Sequence, residues 1–182
     1  MIKKITSPAS EEQLLSLNAG DIVQLTGILL TGRDAAHKRM VEYLDHGIPL
    51  PFDLNNQGIY YTGPCPARPG RIIGSCGPTT GSRMDSYTPR LLNLGLKIMI
   101  GKGQRSPEVI QAMIRNKAVY LAAAGGAGAL IARCIKKAKV LAFEDLGPEA
   151  VYRLEVENLP LIVAIDSRGN NLHELGPARY KI

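Results

Sequence analysis

The chain has 182 residues, 45% of them apolar and 21% charged, an ordinary balance for a soluble globular protein of one domain. No run is long and apolar enough for a membrane helix, and MIKKITSPASEEQ at the start lacks the apolar stretch of a secretory signal, so the cytoplasm is the expected compartment. The formal charge of +6 asks for an anionic partner, while three cysteines without a CxxC pair argue against a disulfide framework or a self-contained metal site.

Residues 1–20 read as an N-terminal arm with a short apolar segment, EEQLLSL, ahead of a single domain that takes in the rest of 1–182. GDIVQLTGILLTG (20–32) alternates apolar and polar residues and reads as a strand; RDAAHKRMVEYLDHG (33–47) repeats apolar residues every four positions and stops on Gly47, as a helix does. A Pro- and Asn-rich loop (48–57) leads to a short strand, GIYYTG (58–63), a rigid turn, PCPARPG, and a further short strand, RIIGSC (71–76). Helix resumes near Gly81 and runs to Gly95, broken by Pro89, with Thr88 placed to cap the second part. LKIMIG (96–101) has the character of a buried strand, and SPEVIQAMIRNK (106–117) that of a helix with Ser106 as N-cap and Pro107 in its first turn. AVYLAAAGGAGALIARC (118–134) reads as strand, glycine turn and helix, and three strands over 138–147, 150–158 and 159–169 complete an α/β architecture.

Three cation-bearing motifs each follow a strand. In GPTTGSR, Thr79 and Thr80 are placed to cap a helix with Arg83 one turn on, so that backbone N–H groups, a hydroxyl and a guanidinium would meet a carboxylate or phosphate together. In TGRDAAHKR, Arg33 and Asp34 stand at a helix start with His37 one turn beyond; in GKGQRS, Lys102 projects from a strand end between glycines. Any one of these, alone, fits a capped helix or a solvated surface. Together they describe an anion pocket, provided the strand ends converge. AAAGGAGAL lacks the Lys-Ser/Thr ending of a P-loop and reads as close helix–strand packing, and Cys76 as a small buried hydrophobe. The dense basic run RCIKKAK (133–139) has no accompanying nucleic-acid motif and no tryptophan for base stacking, so a nucleic-acid or other non-catalytic anion-binding module is the weaker reading. The motifs hold no ordinary general base: Asp34 and Asp85 are the nearby acids, and a threonine hydroxyl needs cations and a proton acceptor to act as one.

With GRDAAHKR, GPTTGSRMDSY and GKGQRS in this order, and IYYTGP, YLAAAGGAGAL and VAIDSRGNNL around them, the sequence resembles the smaller, C-terminal component of class I iron–sulfur hydro-lyases. The fumarate hydratase β subunit is the nearest pattern and the tartrate dehydratase small subunit the next. The resemblance implies a swivelling, three-layer β/β/α domain that forms a hetero-oligomer with an iron–sulfur α subunit, the 4Fe–4S cluster being bound by that partner. It further implies reversible hydration of fumarate to L-malate at a shared site, with tartrate or mesaconate as alternative substrates. By resemblance Thr79 is the catalytic base, assisted by an aspartate of the α subunit. Arg33, Arg83 and Lys102 bind the dicarboxylate, and Asp34, His37 and Thr80 support them. No metal ligand is expected on this chain.

Overall fold

A computed structural model describes residues 2–178. In chain order the elements are β1 (Lys3–Ser7), α1 (Glu11–Leu15), β2 (Ile22–Thr31), α2 (Asp34–Asp45), β3 (Gly58–Tyr60), a 3-10 turn (Gly81–Met84), α3 (Thr88–Asn93), β4 (Ile98–Gly101) and α4 (Pro107–Asn116). There follow β5 (Val119–Ala122), α5 (Gly128–Cys134), β6 (Ile135–Ala142), a second 3-10 segment (Glu144–Glu149), β7 (Val151–Ile165) and α6 (Leu172–Ala178). The α/β class expected from the sequence is what is found.

The seven strands run β1-β2-β3-β4-β5-β7-β6, and β7 also pairs with β2. β1 to β5 pair in parallel, whereas β7 is antiparallel to β2, β5 and β6. The β2–β7 ladder therefore closes β2, β3, β4, β5 and β7 into a ring. Successive side chains of a strand point to opposite faces, and both faces of the parallel strands are filled. Ile98, Ile100, Val119 and Leu121 point into the ring with Leu29, Tyr60 and Leu161. Met99, Tyr120 and Ile59 point outward and are covered by α2, α3 and α4 through Met40, Leu91, Leu92, Val109 and Met113. This double burial is why LKIMI reads as an uninterrupted apolar run rather than an alternating one.

Local chemistry sets several boundaries. The Ser106 hydroxyl accepts a hydrogen bond from Val109 N (3.4 Å) and Pro107 occupies the first turn of α4, which ends on Lys117 in the left-handed region (φ 52°). α2 has no cap on its own N-terminal residue; the Glu149 carboxylate accepts from Ala35 N at 2.8 Å instead.

Some expectations are corrected. The segment read as an arm is part of the fold: β1 pairs with β2, and Leu14 and Leu17 are fully buried. RIIGSC makes no strand, because its backbone folds back on residue 65, with Cys65 N bonded to Ser75 O and Gly74 N to Cys65 O. Residues 144–149 leave the sheet as a 3-10 segment. The last two expected strands are one. Asn158 takes a left-handed φ of 51°, and Pro160 falls where β7 has lost β6 and not yet met β5, so its missing N–H faces no strand. Thr88 does not cap α3 but opens it, donating its hydroxyl to Met84 O at 2.8 Å. A helix, α6, follows β7 where none was expected.

Candidate functional site

Because β2, β3, β4 and β5 are mutually parallel, their C-terminal ends lie at one edge, the usual position of ligand sites in such sheets. The Thr-Thr motif is inserted into that edge. Thr79 N donates to Tyr61 O (2.7 Å), just past β3; Lys102 N, just past β4, donates to Thr79 O (3.1 Å); and Gly81 N donates to Lys102 O (2.8 Å). Thr80 and Lys102 thus form a parallel bridge that prolongs the sheet by one rung. This corrects the expected helix cap: Thr80 precedes a 3-10 turn and makes no capping bond, and the amides of Thr79 and Gly81 are used within the sheet rather than left for an anion. What the rung offers instead is a fixed stance for Thr79, 8% exposed, beside the exposed Lys102.

The far end of the Thr-Thr motif, Arg83, meets the motif TGRDAAHKR at Asp34. Arg83 grips the Asp34 carboxylate with Nε and Nη2 (2.9 and 2.8 Å), and Arg33 Nε reaches the same carboxylate at 3.2 Å and Glu149 at 3.4 Å. Partial burial pushes the Asp34 carboxyl up, but its own backbone amide and the two guanidiniums outweigh this and hold it below the ordinary carboxylate range. A guanidinium carries five N–H donors. Arg33 keeps both terminal nitrogens free of Asp34 and Glu149, and Arg83 keeps Nη1, so each has donors left for a ligand carboxylate. Arg33, Arg83 and Lys102 against Asp34 and Glu149 leave one positive charge in excess at this edge.

His37 is elsewhere than its place in the motif suggests. It is fully buried, donates from Nδ1 to Arg33 O (3.1 Å), and lies edge-on to Tyr61 with centroids 5.3 Å apart. Burial, reinforced by the Arg105 charge, pushes its pKa down to about 4, so the ring is neutral near neutral pH and its Nε2 is a buried acceptor with no partner among the described residues. His37 holds the Arg33 backbone from inside the protein and is not exposed beside the arginines.

Arg105 is the residue missed by sequence reasoning. Its side chain is wholly buried; Nε bonds Asp85 at 2.7 Å and Nη2 bonds Thr88 at 2.8 Å, and the guanidinium stacks on Tyr61 and Tyr120 (5.3 and 4.9 Å to the ring centroids). Tyr120 in turn donates to Lys102 O at 2.9 Å. This layer lies directly behind the rung: a Cβ on Gly101 would stand 2.9 Å from Tyr61 Cδ2 and 3.0 Å from both Thr79 O and Tyr120 Oη, so only glycine lets the three approach. GKGQRS therefore contributes two cations with different duties. The signal that separates them, the aromatic neighbours, is remote in sequence.

Among the described residues no group of three His, Cys, Asp or Glu side chains gathers closely enough to hold a metal ion. The three cysteines are dispersed. Cys76 is buried, and burial pushes its thiol up to about 11. A groove of about 690 Å³, with Cys65 in its lining and none of Arg33, Thr79, Arg83 or Lys102, lies where Arg133 and Lys136 of the basic run meet Arg68 and Arg71.

The family model described as fumarase C-terminus matches residues 2–176. Fumarate hydratase 2 of Leishmania major is 40% identical over 164 residues, 89% of this chain but 29% of that protein. The aerobic class I fumarate hydratase of Salmonella typhimurium is 36% identical over 93% of this chain and 30% of its own length. A "Putative L(+)-tartrate dehydratase subunit beta" of Methanocaldococcus jannaschii is 40% identical over 91% of this chain and 88% of its own length. The chain thus spans less than a third of the fumarate hydratases it matches and nearly the whole of a β subunit. It belongs to the fumarase C-terminal family.

Proposed function

We propose that this chain is the β component of an iron–sulfur hydro-lyase that interconverts fumarate and L-malate at a site shared with an α subunit. The observation that carries this reading is the edge where the Thr79–Thr80 rung on Lys102 leads, through the bond from Arg83 N to Thr80 O, into the Arg83–Asp34–Arg33 ion-pair set. The fumarate hydratase relatives name the reaction, and the relative named as a β subunit points to a separate partner. The 4Fe–4S cluster and the acid that receives the Thr79 proton are assigned to that partner. On this reading the parallel strands, the antiparallel β2–β7–β6 set and helices α2 to α4 are the three layers of a swivelling β/β/α domain.

This chain's part in the reaction follows from its charges. Arg33 and Arg83 hold a substrate carboxylate through their remaining N–H donors, the planar fork suiting a planar carboxylate. Thr79, ionised in the complex and held on the same rung as Lys102, takes the proton from the carbon adjoining a carboxylate of L-malate. The negative charge that develops there spreads onto the carboxylate, is met by cations fixed before the reaction begins, and forms the double bond as the hydroxyl leaves the neighbouring carbon, a departure that the partner's cluster would assist as a Lewis acid. Anaerobic reconstitution with the iron–sulfur α subunit tests the proposal: the complex should hydrate fumarate and the chain alone should not. A complex that turns over none of fumarate, L-tartrate or mesaconate refutes it. Tartrate is the second reading, favoured by the β-subunit relative, and the same substrate panel separates the two.

A further inference from the structure

Ile162 is the point where the ring closes, pairing with Ile22 of β2 on one side and Ala122 of β5 on the other. Over this seam lies a groove of about 350 Å³ lined only by alanine, isoleucine, leucine and proline. Its rim is costly in water: Ile22, Leu130 and Ile162 are 52%, 55% and 43% exposed. Ile2, one residue ahead of the Lys3–Val23 pair and therefore level with Ile22, is exposed as well. A contiguous aliphatic face on a monomer surface marks a place where another surface sits.

We infer that this face seats the iron–sulfur α subunit, an assignment that rests on the function proposed above. Three observations select this occupant. The Ala123–Ala127 loop bordering the groove also borders the candidate site: Ala123 N donates to Gly101 O at 2.9 Å, and a Cβ on Gly125 would stand 4.0 Å from Lys102 Cδ. A body covering the groove is thereby brought against Lys102, where the missing chemistry has to arrive. The candidate site is one-sided, with cations and a hydroxyl but no set of metal ligands among the described residues. Finally, the matched segment is 28–30% of the single-chain fumarate hydratases, and a chain leading into β1 would pass Ile2 at the level of Ile22, beside the same face. The lining carries no charge, so an anionic ligand has nothing to hold there.

The test pairs Leu130→Glu with Ile162→Lys in the full chain co-expressed with the host's iron–sulfur α subunit, and uses Ile72→Glu, equally exposed on the basic groove, as control. Affinity for the α subunit is measured by anaerobic sedimentation, with circular dichroism of each free chain verifying its fold. The double variant should bind at least about a hundredfold more weakly than wild type, by roughly 2.7 kcal/mol, and Ile72→Glu should bind as wild type does. Binding by the double variant within threefold of wild type overturns the assignment while leaving the proposed function standing. A wild-type chain that dimerises by itself, and is split by the double variant, gives the face to a second copy and also overturns it. A wild-type chain that does not bind the α subunit at all removes the proposed function, and this inference with it.

Discussion

His37 makes acid stability of this chain a quantitative question. In the unfolded chain its imidazole titrates near 6.5; in the folded protein burial holds it down to about 4. The folded state therefore binds fewer protons than the unfolded state between these values, so its stability falls as pH drops below about 6.5 and this loss levels off once the pH passes the folded value. For a single group with these two pKa values the loss between pH 7 and pH 4 is about 3 kcal/mol. Lowered carboxylates such as Asp34 and Asp166 also cost stability on acidification, but through a lower pH window. A difference measurement isolates His37. Urea unfolding of wild type and His37→Gln from pH 7.5 to 4 should give curves that converge as pH falls, the variant losing about 3 kcal/mol less than wild type. Parallel curves, with a difference that stays within about 1 kcal/mol across the range, would refute the argument that the imidazole is buried neutral.

In the reconstituted complex Thr79→Ala should cut turnover by roughly 10²–10⁴ with assembly intact, and Thr79→Ser should recover part of it; equal activity of Ala and Ser would take the hydroxyl out of the chemistry. Asp34→Asn removes the shared anchor of Arg33 and Arg83 and should raise KM for the dicarboxylate about tenfold with a smaller change in kcat, read from steady-state kinetics. Arg105→Leu leaves Asp85 as an uncompensated, largely buried charge and should cost about 3–5 kcal/mol in urea unfolding of the free chain; a cost below about 1 kcal/mol would show the pair to be dispensable.

How far the sequence speaks depends on how local the cause is. α4 was legible to its caps because Ser106 and Pro107 act within one turn. The buried strands β4 and β5 were legible from their apolar runs, since both faces are covered. The convergence of Arg33, Thr79 and Lys102 at one edge was legible as a pattern of strand, glycine and cation. The role of the threonines was not, because a parallel rung with Lys102 depends on a partner more than twenty positions away. The cap of α2 lies in Glu149, across the chain, and the duty of Arg105 is set by Tyr61 and Tyr120. His37 looked like a surface residue because periodicity places it one turn from Arg33, and nothing nearby in sequence announces the aromatic wall that encloses it.

The closure of β2, β3, β4, β5 and β7 into a ring has a kinetic corollary. An open sheet can shed an outer strand by itself, whereas removing any member of this ring breaks at least two ladders at once. The amides of Tyr61, Thr79, Gly81 and Lys102, all bonded at the rim of this ring, should then trade their protons for deuterium only when the whole domain opens, at one common and slow rate. On the proposed function, adjustment to a bound dicarboxylate would fall to long side chains such as Lys102 and Arg83, the backbone beneath them moving as a single block.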